Sequence, residues 1–118
     1  MSIKVGTDIV AIGRVARSIE KFGDKFLKRF LCEAEIKSAK KIETIAGYWA
    51  SKEAISKALG CGIGKELSFL DIEIRKDAKN APYIIIKGNA KERFAIKESS
   101  LSISHEKDFA IAVAVIVV

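Results

Sequence analysis

The chain has 118 residues, of which 49% are hydrophobic and 31% charged, and its net charge is +6. This length favours one domain spanning residues 1–118, and the hydrophobic content excludes a disordered chain. No apolar run reaches the roughly 18 residues that cross a membrane, and the first residues lack the apolar core of a secretory signal, so we expect a soluble cytoplasmic protein. The basic charge favours acidic partners: nucleic acid, an anionic membrane, an acidic protein or a phosphorylated small molecule.

The first half of the chain is predicted to be one strand followed by helices. Residues 4–12, KVGTDIVAI, are mostly apolar and β-branched, as in a buried strand. Apolar residues at helical spacing predict three helical segments after this strand. They are residues 14–22, residues 26–41 (one or two short helices), and a long helix from residue 43 or 44 to residue 59. Phe22 falls on the apolar side of the first helix, where we expect it to join the core. Gly60 suits the left-handed position that follows a helix C-terminus.

The second half changes to the periodicity of strands. Four strands are predicted here: 68–75, 82–87, 101–104 and 109–117. A turn at 79–81 separates the first two, and a short helix is expected over 89–96. Residues 105–108 join the last two strands tightly, as in a hairpin. Helices early and antiparallel strands late indicate an α+β fold in which the N-terminal strand joins the sheet.

Two carboxylates lie among apolar residues. Asp8 belongs to the first strand, and Glu53 falls on the apolar stripe of the long helix, between the directions of Trp49 and Ala50. A buried carboxylate costs several kcal/mol unless it is paired, hydrogen-bonded or metal-bound. Asp8 is therefore a satisfied structural residue, a metal ligand or a general base. Glu53 either pairs with Lys57 at i,i+4 or joins Asp8 in a Mg²⁺ site where Lys57 meets a substrate phosphate.

Other polar features are weaker signals. The segment GCGIG, residues 60–64, follows a helix and lacks GK[ST], so a flexible turn explains it better than a phosphate loop. His105, the single histidine, is interpreted as an ordinary polar residue of a hairpin turn; Ser102 and Ser104 stand near it in sequence, but the absence of a G-x-S-x-G elbow disfavours a serine hydrolase. Arg14, Arg17 and Lys21 form a basic helical face, which is either solvated surface or a docking face for an acidic helix. Two cysteines and one histidine cannot build a Cys/His-rich zinc cluster, and we expect plain thiols rather than a disulfide framework in such a chain.

Four segments together resemble the holo-acyl-carrier-protein synthase family, the small bacterial 4′-phosphopantetheinyl transferases. They are GTDIVAIGRV (6–15), WASKEAISKALGCGIG (49–64), SFLDIEIRKD (68–77) and LSISHEKDFAIAVAVI (101–116). The resemblance implies that family's fold, an antiparallel sheet packed against a long helix with shorter N-terminal helices. It also implies a Mg²⁺-dependent enzyme of fatty acid biosynthesis that transfers 4′-phosphopantetheine from coenzyme A to a serine of acyl carrier protein, releasing adenosine 3′,5′-bisphosphate.

The resemblance also implies roles for individual residues. Asp8 of the G-x-D motif and Glu53 of the K-E-A motif are expected to bind the metal, and Lys57 to meet the coenzyme A phosphates. The residues expected to line coenzyme A are Gly60, Pro82 and His105. The docking face for the carrier protein's acidic helix is expected to contain Arg14, Arg17 and Lys21. Family members of this size form homotrimers with each active site between two subunits, and neither a membrane nor nucleic acid is an expected partner.

Some questions stay open at the level of sequence. The proton of the attacking serine goes either to Glu53 or to a water on the metal. Tyr48 and Trp49 stand where many bacterial members have Arg-Phe, so one charged phosphate contact is missing, and Glu106 follows His105 where a small or hydroxyl residue is usual. The alternatives to a transferase are a small basic RNA-binding α+β module and an inactive oligomer whose buried acids form interface ion pairs. The first explains the charge but not the two carboxylates in apolar surroundings.

Overall fold

The structure, a computed structural model, describes all residues from 1 to 118. Its five strands and five helices follow in this order: β1 Ile3–Ala11, α1 Ile12–Phe22, α2 Asp24–Phe30, α3 Glu33–Ser38, α4 Ile42–Ala58, β2 Ile72–Lys76, β3 Pro82–Ile86, α5 Ala90–Arg93, β4 Glu98–Glu106 and β5 Phe109–Val117. A short 3₁₀ turn, Phe69–Asp71, precedes β2. None of the helices combines the length and the apolar character needed to cross a membrane.

The predicted α+β architecture is confirmed, but the strands form two sheets. One has the order β1-β5-β4 and the other pairs β2 with β3, and all pairings are antiparallel. The N-terminal strand joins the first sheet as expected, in a register that sets Asp8 opposite Ala112. Alternate residues of β5, from Ala110 to Ile116, are fully buried beneath α4. The small side chains of Ala110, Ala112 and Ala114 let the helix lie close to the sheet.

Helix α4 lies directly against the sheet at Gly6 of β1. A Cβ atom built on Gly6 would lie 1.9 Å from the carbonyl oxygen of Ala54 and 2.5 Å from the amide nitrogen of Ala58. Both of these atoms belong to the backbone of α4, so no side-chain rotation could relieve the overlap. The glycine of the G-x-D motif therefore fixes the distance between β1 and α4, and Asp8 lies two residues further along the same face of the strand.

Two sequence predictions need correction. His105 is expected on the hairpin turn, but it lies within β4 opposite Ala110, because β4 pairs along the whole of β5 and only two residues connect them. The N-terminal residues of β4 are polar and show no apolar alternation, which is why this strand is predicted too short. Phe22 is expected in the core but is 54% exposed. The chain turns at Gly23, and Phe26 of α2 covers the core instead.

A buried ion pair fixes α4 against the elements around it. The side chains of Lys52 and Glu35 are fully buried, and Lys52 Nζ lies 2.8 Å from Glu35 Oε1. Lys52 Nζ also donates to the carbonyl oxygens of Phe30 at 2.6 Å and Phe69 at 3.1 Å. Glu35 accepts a hydrogen bond from the backbone N–H of Ile74 at 2.8 Å. The pair thus joins α2, α3, the 3₁₀ turn and β2 to the helix that carries Glu53.

Candidate active site

Asp8, Glu53 and Lys57 come together where β1 lies against α4. Lys57 Nζ donates to Asp8 Oδ1 at 2.9 Å and to the carbonyl oxygen of Thr7 at 3.2 Å. The Asp8 side chain is 15% exposed and that of Lys57 is 53% exposed. Lys57 therefore pairs across to the strand, and the i,i+4 ion pair between Glu53 and Lys57 that the helical spacing allows is not formed.

The charges at this site are unbalanced. Burial raises the pKa of Glu53, and the negative charge of Asp8 raises it further, although Lys57 partly opposes both effects. The hydrogen bond to Asp8 raises the pKa of Lys57. Two carboxylates thus share one ammonium group, which leaves Glu53 without a cation of its own. Further positive charge at this point would be stabilised by both acids.

The donor set fits Mg²⁺. Carboxylate oxygens are hard ligands, and Mg²⁺ is commonly held by one or two carboxylates together with waters and substrate phosphates. Asp8 and Glu53 supply this number, and no group of three or more histidine, cysteine, aspartate or glutamate side chains converges in the chain. The remaining ligands would come from substrate and water, as they do in known Mg²⁺-dependent phosphoryl-transfer enzymes.

The carboxylates line a cavity of about 280 Å³. The lining residues are Asp8, Ile9, Val10, Arg14, Val15, Ser18, Phe26, Trp49 and Glu53. Trp49 belongs to an aromatic cluster, with its ring centroid 5.9 Å from that of Phe26, 5.0 Å from Phe30 and 4.8 Å from Phe69. These apolar walls lower the local dielectric, so charges inside the cavity interact more strongly than in water.

Pro82 and His105 lie in a different cavity of the same chain. This space of about 220 Å³ is also lined by Glu43, Thr44, Tyr48, Lys76, Asn80 and Ile103, and it shares no residue with the cavity of Asp8 and Glu53. Gly60 lies two residues beyond the end of α4 with a φ of +80°, and its N–H donates to the carbonyl oxygen of Lys57. The structure thus brings Asp8, Glu53, Lys57 and Gly60 to one region and sets Pro82 and His105 apart.

The basic face of α1 continues onto α2. Arg14, Arg17 and Lys21 are exposed, and Arg14 also lines the cavity of the two carboxylates. Lys21 Nζ lies 5.3 Å from the ring centroid of Phe22. An apolar hollow of about 340 Å³ follows, lined by Phe22, Lys25, Phe26 and Arg29. The face therefore presents an exposed aromatic ring and an apolar hollow among positive charges.

One face of the three-stranded sheet is apolar and uncovered. Alternate side chains of β1 and β5 point away from α4, and the large ones are between 38% and 69% exposed. They are Ile3, Val5, Ile9, Phe109, Ile111 and Val113. A contiguous apolar surface of this kind marks an interface more often than a solvated face. We refer to these six residues as the apolar sheet face.

Known proteins share this sequence and fold along almost the full chain. The family model ACPS: 4′-phosphopantetheinyl transferase superfamily matches residues 4–114. The holo-[acyl-carrier-protein] synthase of Sulfurovum sp. is 54% identical over 97% of this chain and 96% of its own. The crystal structure of the Helicobacter pylori holo-[acyl-carrier-protein] synthase in complex with coenzyme A has a TM-score of 0.93 and 51% identity, and covers 96% of this chain and 99% of its own.

A second solved structure gives the same result at lower identity. The holo-(acyl-carrier-protein) synthase from Bacillus anthracis, in complex with CoA (3′,5′-ADP), is 44% identical with a TM-score of 0.79, and covers 96% of this chain and 94% of its own. The similarity therefore includes β1, the long helix α4 and the C-terminal hairpin together, so it extends over every element that contributes to the site. The chain belongs to the 4′-phosphopantetheinyl transferase superfamily and, within it, to the holo-[acyl-carrier-protein] synthases.

Proposed function

We propose that this protein transfers 4′-phosphopantetheine from coenzyme A to a serine of apo acyl carrier protein, in support of fatty acid biosynthesis in the cytoplasm. The observation that carries the proposal is the meeting of Asp8 and Glu53 beside Lys57 in a cavity with apolar walls. Membership of the synthase family supports the choice of substrates. The RNA-binding alternative loses its support, because the net charge is its only argument.

In the proposed reaction, the serine oxygen attacks the phosphorus atom that carries the pantetheine arm. The bond from this phosphorus to the oxygen of adenosine 3′,5′-bisphosphate breaks, the leaving oxygen takes the electron pair, and the serine proton passes to a base. Negative charge grows on the phosphoryl and leaving oxygens, where the Lys57 ammonium can stabilise it. Mg²⁺, when held by Asp8 and Glu53, would supply further neutralisation and orient the pyrophosphate. The raised pKa of Glu53 makes it a stronger proton acceptor than an ordinary carboxylate.

The carrier protein is proposed to dock on α1 through Arg14, Arg17 and Lys21. Positive charge on an exposed helix attracts an acidic helix and orients it. Arg14 extends this surface to the cavity of Asp8 and Glu53, so a partner bound there could deliver a serine to the site. The exposed ring of Phe22 gives the docking face an apolar contact beside its charges.

We propose a homotrimer with active sites between subunits. Two observations support it: the apolar sheet face is uncovered in a single chain, and Pro82 and His105 lie in a cavity separate from Glu53. In such an assembly one subunit would supply Asp8, Glu53 and Lys57, and its neighbour would supply Pro82 and His105.

Subunit mixing tests this arrangement. Glu53→Gln and His105→Ala proteins, each impaired alone, are dissociated, mixed in equal amounts and reassembled. Random assembly of a closed ring gives about one site in four with both native halves, so activity should return to about a quarter of the native level. Light scattering gives the mass of the assembly. A monomeric protein with full activity would contradict the proposal.

The transfer itself is tested by incubating the protein with coenzyme A, Mg²⁺ and apo acyl carrier protein and following the mass of the carrier. A carrier that never gains phosphopantetheine overturns the proposed function. Glu53→Gln should lower the rate at least about 100-fold, because the amide is a poor Mg²⁺ ligand and cannot accept the serine proton. Its fold should survive, since no hydrogen bond depends on the Glu53 carboxylate and the change relieves repulsion with Asp8. Glu92→Gln on exposed α5 is the matched control and should retain native activity.

A further inference from the structure

In the free protein, Lys57 forms an ion pair with Asp8. Its ammonium group lies 2.9 Å from Asp8 Oδ1 and 3.2 Å from the carbonyl oxygen of Thr7, so two acceptors on β1 hold it in place. No other lysine or arginine pairs with Asp8. The Asp8 carboxylate is mostly buried, whereas about half of the Lys57 side chain is exposed. Of the two partners, Lys57 is therefore the one that is free to move.

A divalent cation would compete with this ammonium group. A carboxylate that binds Mg²⁺ directs its oxygens at the metal, and a lysine ammonium held against the same oxygens would repel it. Lys57 must then leave Asp8. Without substrate, the displaced ammonium group would lose its carboxylate partner and gain only contacts with solvent. A substrate phosphate beside the site changes this balance, because it offers the displaced ammonium a new anionic partner.

We propose that Lys57 holds the place of the metal at Asp8 in the free protein, so that the divalent cation and coenzyme A bind with positive coupling. This inference rests on the proposed function, which assigns the metal to Asp8 and Glu53 and the phosphates to Lys57. The coupling has two sources: phosphate oxygens that ligate the metal directly, and the release of Lys57 from Asp8. Only the second source depends on Lys57, and coupling between two ligands is reciprocal.

Binding of Mn²⁺, followed by the electron paramagnetic resonance signal of the free ion, measures this coupling without any turnover. Native protein, Lys57→Met and Asp8→Asn are titrated with Mn²⁺ alone and with coenzyme A present. Because an exposed ion pair is weak but must be broken, Lys57→Met should bind Mn²⁺ alone about threefold to fivefold more tightly than the native protein. Coenzyme A should then raise the Mn²⁺ affinity by a smaller factor in Lys57→Met than in the native protein.

Arg14→Met is the matched control. It removes one positive charge from the lining of the same cavity, but Arg14 makes no ion pair with Asp8. General electrostatics predicts a small gain in Mn²⁺ affinity for this variant, and the place-holding role predicts a clearly larger gain for Lys57→Met. Circular dichroism spectra of the variants show whether each one is folded during the titration.

The outcomes separate the inference from the proposed function. If Asp8→Asn weakens Mn²⁺ binding while Lys57→Met gains no more affinity than Arg14→Met, Lys57 does not hold the metal's place, and the assignment of the metal to Asp8 stands. If Asp8→Asn leaves Mn²⁺ binding unchanged, Asp8 is not a ligand, and the proposed metal site and this inference both fail. A tighter Lys57→Met with reduced coupling to coenzyme A supports the inference.

Discussion

Gly6→Ala should damage both the fold and the proposed active site, because β1 and α4 touch at this residue. The added Cβ would lie 1.9 Å from the carbonyl oxygen of Ala54, whereas ordinary van der Waals contacts of a Cβ begin at 3.4 Å. Strand and helix must therefore separate by about 1.5 Å, the difference between these two distances. The obstructing atoms are all backbone, so the strain cannot be absorbed by a change of rotamer.

The magnitude follows from this shift. Overpacking of a core costs typically about 1–3 kcal/mol and occasionally more, and a rigid backbone overlap belongs at the upper end, about 3 kcal/mol. For a domain of this size that loss lowers the melting temperature by about 10 °C or more. The same separation pulls Asp8 away from Lys57, now 2.9 Å away, and from Glu53. Displacing catalytic groups by about 1 Å can cost about 100-fold in rate.

Thermal unfolding followed by circular dichroism measures the first effect, and the carrier-mass assay measures the second. Gly64→Ala is the matched control, since its Cβ would meet nothing within 4 Å and its φ is not in the left-handed region. A Gly6→Ala protein that melts within about 2 °C of Gly64→Ala and transfers at a similar rate would refute the close contact of β1 with α4 and the role we give to this glycine.

Three further predictions concern docking and stability. Arg14→Glu should raise the KM for the carrier protein at least about tenfold while the KM for coenzyme A changes little, and equal effects on both would contradict the docking face. Glu73 forms ion pairs with Arg75 and Lys87, which lower the pKa of the Glu73 carboxyl to about 2. The stabilising contribution of Glu73 is therefore complete above about pH 4.5 and is lost as the pH falls towards 2. Because those partners are partly exposed, we expect a loss of about 1–2 kcal/mol in unfolding free energy over this range, seen as a shrinking difference in urea midpoint between native protein and Glu73→Gln. Lys52→Met should cost about 3–5 kcal/mol by leaving Glu35 buried without its cation, whereas Lys52→Met combined with Glu35→Leu should recover much of this loss in urea unfolding; a single variant as stable as the double one would show that the pair is not needed.

The arrangement of secondary structure follows largely from local patterns. Apolar spacing places the long helix within one or two residues of its observed bounds, and apolar runs or alternation locate all five strands, three of them to within one residue. The strand predicted at 68–75 begins instead at Ile72, after the 3₁₀ turn, and β4 is longer than predicted because its N-terminal half is polar and is held in the sheet by backbone pairing with β5. Periodicity reports which side of an element meets apolar surroundings, and a strand with one open polar face carries too little of that signal.

The buried pair of Lys52 and Glu35 illustrates a second limit of the sequence. The stripe expected on α4 contains Glu53 but not Lys52, because a single amphipathic face is the usual case for a surface helix. In the structure α4 is covered on nearly all sides, so a charge on any face is buried. The signal that was available is that apolar residues occur on every side of the helix, as at Ile45, Ala54 and Ile55, which predicts burial on several faces and a partner for every buried charge.

For this protein, the sequence by itself determined that two carboxylates, Asp8 and Glu53, lie in apolar surroundings, and that they belong to motifs of a transferase family. Only the tertiary structure decided the partners of these groups: Lys57 binds Asp8 across the gap between helix and strand, and not Glu53 one turn away on its own helix. It also decided that Pro82 and His105 lie in a separate cavity. The physical reason is that helical and strand periodicity depend on neighbouring residues, whereas ion pairs and cavities depend on which distant elements pack together, and here that packing is set by the contact of Gly6 with α4.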